Sequence, residues 1–216
     1  MEIGMKRLAI ISMTALLAGC NCQQSGQQCE IVKSDSAVVV STIMARRSVR
    51  KYKPESVRRD QMQQIVECGI NAPSGMNAQP WAVRVVDNPE FLNGCTELWK
   101  QSLTPEQASH MASGPDFRNM FRNAPTVVFI ASPDGSGQLD CGLLGENMIL
   151  AAWSMGIGSC CLGGPIAFLR TPAGAPYLEK LQLPEGYQLL YAIGMGYPDE
   201  SPEAKPRDAS KVQFID

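Results

Sequence analysis

The chain has 216 residues, 44% of them hydrophobic and 19% charged, with a formal net charge of −2. That size and balance suit one domain with a packed core and exclude a disordered or collagen-like chain. A charge so close to neutral gives no basis for binding nucleic acid, so any grip on an anion must come from local clusters.

Met5-Lys6-Arg7 begins with positive charge, Leu8 to Leu17 is a short apolar run, and Leu17-Ala18-Gly19-Cys20 sets small residues before a cysteine. This is the layout of a signal peptide over residues 1–19. The run is too short for the roughly 30 Å hydrocarbon layer, which takes about 20 residues to cross. The Leu-Ala-Gly-Cys ending resembles a bacterial lipobox. That resemblance implies cleavage before Cys20, lipid on its sulfur, and a protein anchored by lipid to a membrane of the bacterial cell envelope. Residues 20–36, rich in Gln, Ser and Cys, read as a flexible tether, which leaves 37–216 as the folded domain.

Within the domain, Val38, Val39, Val40, Ile43 and Met44 form a run that β-propensity alone would make a strand, although its period is ambiguous and Arg46 falls where a helix would end. From Arg59 to Asn71, Met62, Ile65, Val66 and Gly69 recur at helical spacing, and Pro73 stops the pattern. Trp81 to Val86 reads as a strand and Pro89 to Lys100 as a helix with Phe91, Leu92, Cys95, Leu98 and Trp99 inward. Thr104 to Asn123 mixes Ser, Gly, Pro and charge, as a lid with short helical pieces would.

Thr126 to Ala131 is an apolar strand, followed by a turn over Pro133 to Gly137. Leu139 to Met155 reads as a long helix, apolar nearly all round and ended by Gly156 and Gly158. A short strand over Ser159 to Leu162, a short helix over Ala175 to Leu181 and a buried strand over Gln188 to Gly194 complete the order. Glu146 and Asn147 on the long helix are expected to pair across a helix interface. Trp81, Trp99 and Trp153 are expected in the core or an interface.

Eight cysteines without paired Cys-x-x-Cys motifs, and a single histidine, His110, argue against a zinc site. Beyond Cys20, the set Cys22, Cys29, Cys68, Cys95, Cys141, Cys160 and Cys161 is odd, so in an oxidising compartment at least one thiol stays free or pairs between chains. Adjacent Cys160 and Cys161 read as small buried apolar residues before a redox pair, because a disulfide between neighbours distorts its ring.

Arg46-Arg47-Ser48-Val49-Arg50 concentrates three cations and a hydroxyl, enough to hold a phosphate through charge-assisted hydrogen bonds. Alone it is an ordinary solvated cluster. Pro73-Ser74-Gly75-Met76-Asn77-Ala78-Gln79-Pro80-Trp81 adds a loop stiffened by proline, with short polar arms able to read a heterocycle edge. Leu162-Gly163-Gly164-Pro165 would let backbone approach a flat ring, and Lys205-Pro206-Arg207 returns two more cations.

Together RRSVRKYKPE at Arg46 to Glu55, NAPSGMNAQPW at Asn71 to Trp81, GIGSCCLGG at Gly156 to Gly164 and AIGMGYPDESPEAKPR at Ala192 to Arg207 resemble the nitroreductase family of flavoproteins, over about Ile43 to Arg207. The resemblance implies an α+β three-layer sandwich with a mainly antiparallel sheet flanked by helices, in a domain-swapped homodimer with FMN at its interface. The segment Lys211 to Asp216, with Val212, Phe214 and Ile215, would join the partner's sheet. By the same resemblance Arg46, Arg47 and Ser48 hold the phosphate and ribityl end of FMN, and Lys205 and Arg207 close on the phosphate. Arg50 would place a cation by the N1/O2 side of the ring, favouring reduction. Pro73, Ser74, Met76, Asn77 and Gln79 would come from the other subunit, and Leu162, Gly163 and Gly164 would flank the ring and N5.

The implied activity is ping-pong hydride transfer from NADH or NADPH through flavin N5 to an electron-poor small molecule such as a nitroaromatic or quinone. No catalytic side chain and no metal are required by it, and His110 reads as a surface residue of the lid. The alternatives are an envelope lipoprotein that binds FMN without turning over, or a family member with another flavin reaction, dehalogenation or flavin fragmentation. A structural protein resting on disulfides is disfavoured, since a chain of this length builds a core without them.

Overall fold

The structure is a computed structural model and describes residues 36–112, 114–133 and 137–215. The leader, Cys20, nearly all of the tether, Cys22, Cys29 and the middle of the turn after Pro133 lie outside the described residues. In chain order the elements are α1 (Ser36–Ala45), α2 (Arg59–Ile70), β1 (Ala82–Val86), α3 (Pro89–Gln101), α4 (Pro105–Met111), β2 (Thr126–Pro133), α5 (Gln138–Ser154), β3 (Gly158–Leu162), α6 (Gly164–Leu169), α7 (Ala175–Glu179) and β4 (Tyr187–Gly196).

The four strands form one antiparallel sheet in the order β1-β2-β4-β3. β2 is its axis, and Thr126 through Ala131 are all inaccessible to solvent. Strand residues alternate between faces, so Val127, Phe129 and Ala131 pack with Leu92, Cys95 and Trp99 of α3 and Ile166, Phe168 and Leu169 of α6. Val128 and Ile130 instead meet Met62 and Ile65 of α2 and Leu144, Met148 and Ala152 of α5. The result is a helix–sheet–helix sandwich, as expected. A bulge shifts the register between Ile130 and Ala131, whose partners are Tyr191 and Leu189. The extra residue lets Leu190 and Tyr191 both pack on the α5 side.

The first run of valines is helical rather than extended. Its side chains stay largely exposed, because α1 sits outside the sandwich and touches chiefly α5. The run Gly164 to Leu169, which begins within the double glycine and to which the sequence assigns no element, is also a helix. Pro165 falls in its first turn, a position that needs no amide donor. Asn147 does bridge helices, its Nδ2 donating to the Cys68 carbonyl oxygen at 3.2 Å, whereas Glu146 is exposed rather than paired inside. Trp99 is buried in the core, and Trp81 and Trp153 are half-buried against it.

Leu144, inaccessible between α5 and the sheet, tests this packing. Leu144→Ala should cost about 3 kcal/mol of unfolding free energy, read from a urea titration followed by circular dichroism. A loss below about 1 kcal/mol would contradict a fully packed interface on that face.

Candidate functional site

The arginine-rich stretch leaves α1 and becomes a strap along β3. Ser48 makes a parallel bridge to Ser159, and the Val49 amide donates to the Ser159 carbonyl oxygen at 2.9 Å. Val49 is buried against Gly158, where an added Cβ would lie 2.7 Å from the Val49 Cβ. With Val49 inward, its neighbour Arg50 is turned out to solvent. The strap then meets the chain beyond β4: Tyr52 bridges Pro198, the Lys53 amide donates to the Tyr197 carbonyl oxygen at 2.9 Å, and the Asp199 amide to that of Lys51 at 3.0 Å. Glu200 Oε1 accepts from the amides of both Arg50 and Lys51, the latter at 3.2 Å. The buried Tyr52 hydroxyl donates to the carbonyl oxygens of Val49 and Gly194, and burial raises its pKa well above the ordinary tyrosine value.

Beside the strap opens a cleft of about 730 Å³, within the usual range for a small-molecule site. Arg50, Leu162, Gly163 and Gly164 line it, so four of the expected site residues are brought together. A Cβ added to Gly163 or Gly164 would meet nothing within 4 Å, which leaves the backbone of this turn open to an approaching flat group. The cleft is also lined by Lys51, His110, Arg122 and Glu200, none of which the sequence marked as a site residue. His110 is both exposed, as expected, and part of this lining.

The remaining expected residues lie elsewhere. Arg46 and Ser48 are half-buried at the start of the strap, and Arg47 turns its Nη1 back to the carbonyl oxygens of Met44 and Arg46, both at 2.8 Å. Lys205 and Arg207 are exposed beyond β4, with Arg207 Nη1 donating to the Lys205 carbonyl oxygen at 3.1 Å. Pro73, Ser74, Met76, Asn77 and Gln79 belong to the loop that enters β1. β1 and β3 are the two outer strands of the sheet, about 14 Å apart at the usual strand spacing. The polar loop therefore does not line the cleft of its own chain.

That loop is tightly formed. The Ser74 Oγ accepts from the Gln79 amide at 3.0 Å, and Met76, Asn77 and Gln79 all have left-handed backbone, with φ of 51°, 55° and 49°. Left-handed non-glycine residues store strain that concentrates at functional sites. Met76 nonetheless stands entirely in solvent.

Among the described cysteines all five are free thiols. Cys160 is buried in the α3 and α6 core, as expected, but Cys161, facing the other way on β3, is exposed. Burial pushes the thiol of Cys95 up to about 12 and that of Cys141 up to about 11, so both stay protonated and unreactive near neutrality. At Cys161 partial desolvation, then Cys160 and Glu146, raise the pKa, and Arg46 opposes them.

Because Glu200 holds two consecutive amides of the strap, Glu200→Ala should speed hydrogen exchange at Arg50 and Lys51 by about tenfold or more, the worth of a charge-assisted hydrogen bond. Amide exchange followed by mass spectrometry or NMR measures this. Unchanged protection at both positions would refute the anchoring role.

The signature described as "Nitroreductase family" matches residues 43–197. An NADPH-flavin oxidoreductase of Vibrio harveyi is 30% identical over 179 residues, covering 78% of this chain and 69% of its own. A nitroreductase with bound FMN from Bacteroides fragilis superposes with a TM-score of 0.72 at 28% identity, over 82% of this chain and 98% of its own. One from Desulfitobacterium hafniense, also with bound FMN, gives 0.72 at 27% identity over the same shares. The motifs that build the strap, the loop, the glycine turn and β4 thus lie in a matched span that covers most of the sandwich, and the chain belongs to the nitroreductase family.

Proposed function

We propose that the chain is an FMN-dependent oxidoreductase that draws on NADH or NADPH and reduces an electron-poor acceptor such as a nitroaromatic or a quinone. The observation that carries this reading is the convergence of Arg50, Leu162 and the open backbone of Gly163 and Gly164 on one cleft large enough for a flavin ring. Bound FMN would supply the chemistry in two halves, accepting hydride at N5 from the nicotinamide and passing reducing equivalents to the acceptor. Arg46, Arg47 and Ser48, with Lys205 and Arg207, would hold its phosphate and ribityl end by charge-assisted hydrogen bonds. Arg50, fixed by the strap, would set a permanent cation beside the ring and favour the reduced state. No side chain is needed as acid or base.

The working unit in this reading is a homodimer. Three features support it. The exposed apolar residues Val38, Val39, Val40, Ile43 and Met44 of α1 make a surface of the kind that marks interfaces. Phe214 and Ile215 at the C-terminus are 87% and 83% exposed, as expected of a tail that joins a partner's sheet. The strained loop carrying Ser74, Met76, Asn77 and Gln79 sits at the sheet edge away from its own cleft, so it would serve the partner's. The leader, read from its sequence, extends the proposal: lipid on Cys20 would anchor the mature domain in the bacterial envelope. Among the described residues no helix is long and apolar enough to cross a membrane.

The decisive experiment mixes the purified full chain with FMN, records its spectrum, and follows anaerobic bleaching with NADH and NADPH. The protein should retain flavin and bleach with at least one donor; a chain that stays colourless sinks the proposal. Stoichiometric flavin that no donor reduces would favour an FMN-binding lipoprotein without turnover. Arg46→Ala should weaken FMN retention about tenfold or more. Arg50→Ala should chiefly lower the flavin's two-electron potential by about 30 mV, equivalent to about 1.4 kcal/mol, and equal potentials in variant and parent would refute the role given to Arg50.

A further inference from the structure

The segment between α4 and β2 presents a second set of groups to the cleft. Arg122 and Asn123 are consecutive left-handed residues, with φ of 58° and 61°. Asparagine tolerates that conformation; arginine has no preference for it. The turn is held by Asn123, whose Oδ1 accepts from the amides of Arg118 and Asn119 at 2.7 and 3.0 Å and whose Nδ2 donates to the Asp116 carbonyl oxygen at 2.7 Å. Arg118 Nη2 ties the turn to the strap by donating to the Tyr52 carbonyl oxygen at 2.8 Å. An arginine with left-handed backbone, carried by a hydrogen-bonded turn, thus contributes to the cleft lining together with Lys51 and His110.

Among the described residues neither Arg122 nor Lys51 has an ion-pair partner, and the one carboxylate in the lining, Glu200, is engaged by the strap amides. The same cleft has an aromatic side. Trp99 and Phe117 stack with centroids 6.0 Å apart and planes 25° from parallel, and Met111 and Met120 stand with them in the lining. Guanidinium matches a carboxylate with two parallel hydrogen bonds, and aromatic and thioether surfaces favour a flat ring.

We propose that the cleft selects an aromatic acceptor bearing a carboxylate or similar anionic substituent, with Arg122 the specificity-determining residue and Lys51 its support. This rests on the flavoenzyme reading above and names the acceptor class for it. The turn fixes the backbone from which Arg122 projects, so the point of origin of the guanidinium does not have to be ordered when the anion arrives. The aromatic wall supplies contact area and the cation supplies the choice between ligands of equal shape.

The test compares 4-nitrobenzoate with the isosteric neutral 4-nitrobenzamide, each titrated by calorimetry into the full chain loaded with FMN. The benzoate should bind about tenfold or more tightly. Arg122→Gln should reduce it to the affinity of the amide, Lys51→Gln should reduce it part of the way, and Arg122→Lys should restore some preference. Equal binding of both probes by the parent overturns the proposal, as does a preference that survives Arg122→Gln. So does loss of FMN affinity in Arg122→Gln with riboflavin binding intact, which would assign Arg122 to the flavin phosphate. A parent chain that takes up no flavin strikes the reading above and is detected before either probe is added; the probe preference of the flavin-free chain then still decides this proposal.

Discussion

The arrangement depends on one constraint: the central strand β2 is buried on both faces, from Thr126 to Ala131. A strand without a polar side must be covered twice, by α3 and α6 on one face and by α2 and α5 on the other. Covering both faces leaves only the edges and ends of the sheet for chemistry. The strap lies along the β3 edge, the glycine turn leaves its end, and the polar loop feeds β1 at the opposite edge. Site residues far apart in sequence are therefore sorted to two margins of one sheet.

Much of this was legible in the residues because burial writes a period. α2 and α3 carry clear helical spacing, and the apolar runs of β2 and β4 are strands held inside the sheet. α1 was ambiguous for a physical reason: its apolar residues do not face a core, so no stripe tells helix from strand. α6 was missed because Gly-Gly-Pro usually breaks structure, whereas here the proline falls in a first turn that tolerates it.

At the cleft, Arg50 and the glycine turn, which stand out in the sequence only when the four motifs are taken together, both belong to the lining. Glu200 does not stand out in the sequence, since its importance lies in a backbone contact across most of the chain. Nor does Arg122, whose place depends on a left-handed turn held by Asn123; the Arg-Asn pair ahead of Ala124-Pro125 was the only local trace, asparagine being at ease there. Composition likewise gave Cys160 and Cys161 one common reading, although neighbours on a strand must face opposite sides and only Cys160 reaches the core.

The contact of Val49 with Gly158 has a consequence for how such a chain can vary. A methyl group at Gly158 would collide with a side chain that is itself inaccessible, so the strap would have to lift from β3 or residue 49 would have to shrink. The two positions behave as a single volume shared between distant parts of the sequence. A designer wishing to reshape the arginines of the strap should leave that volume alone, or exchange both of its owners in one step.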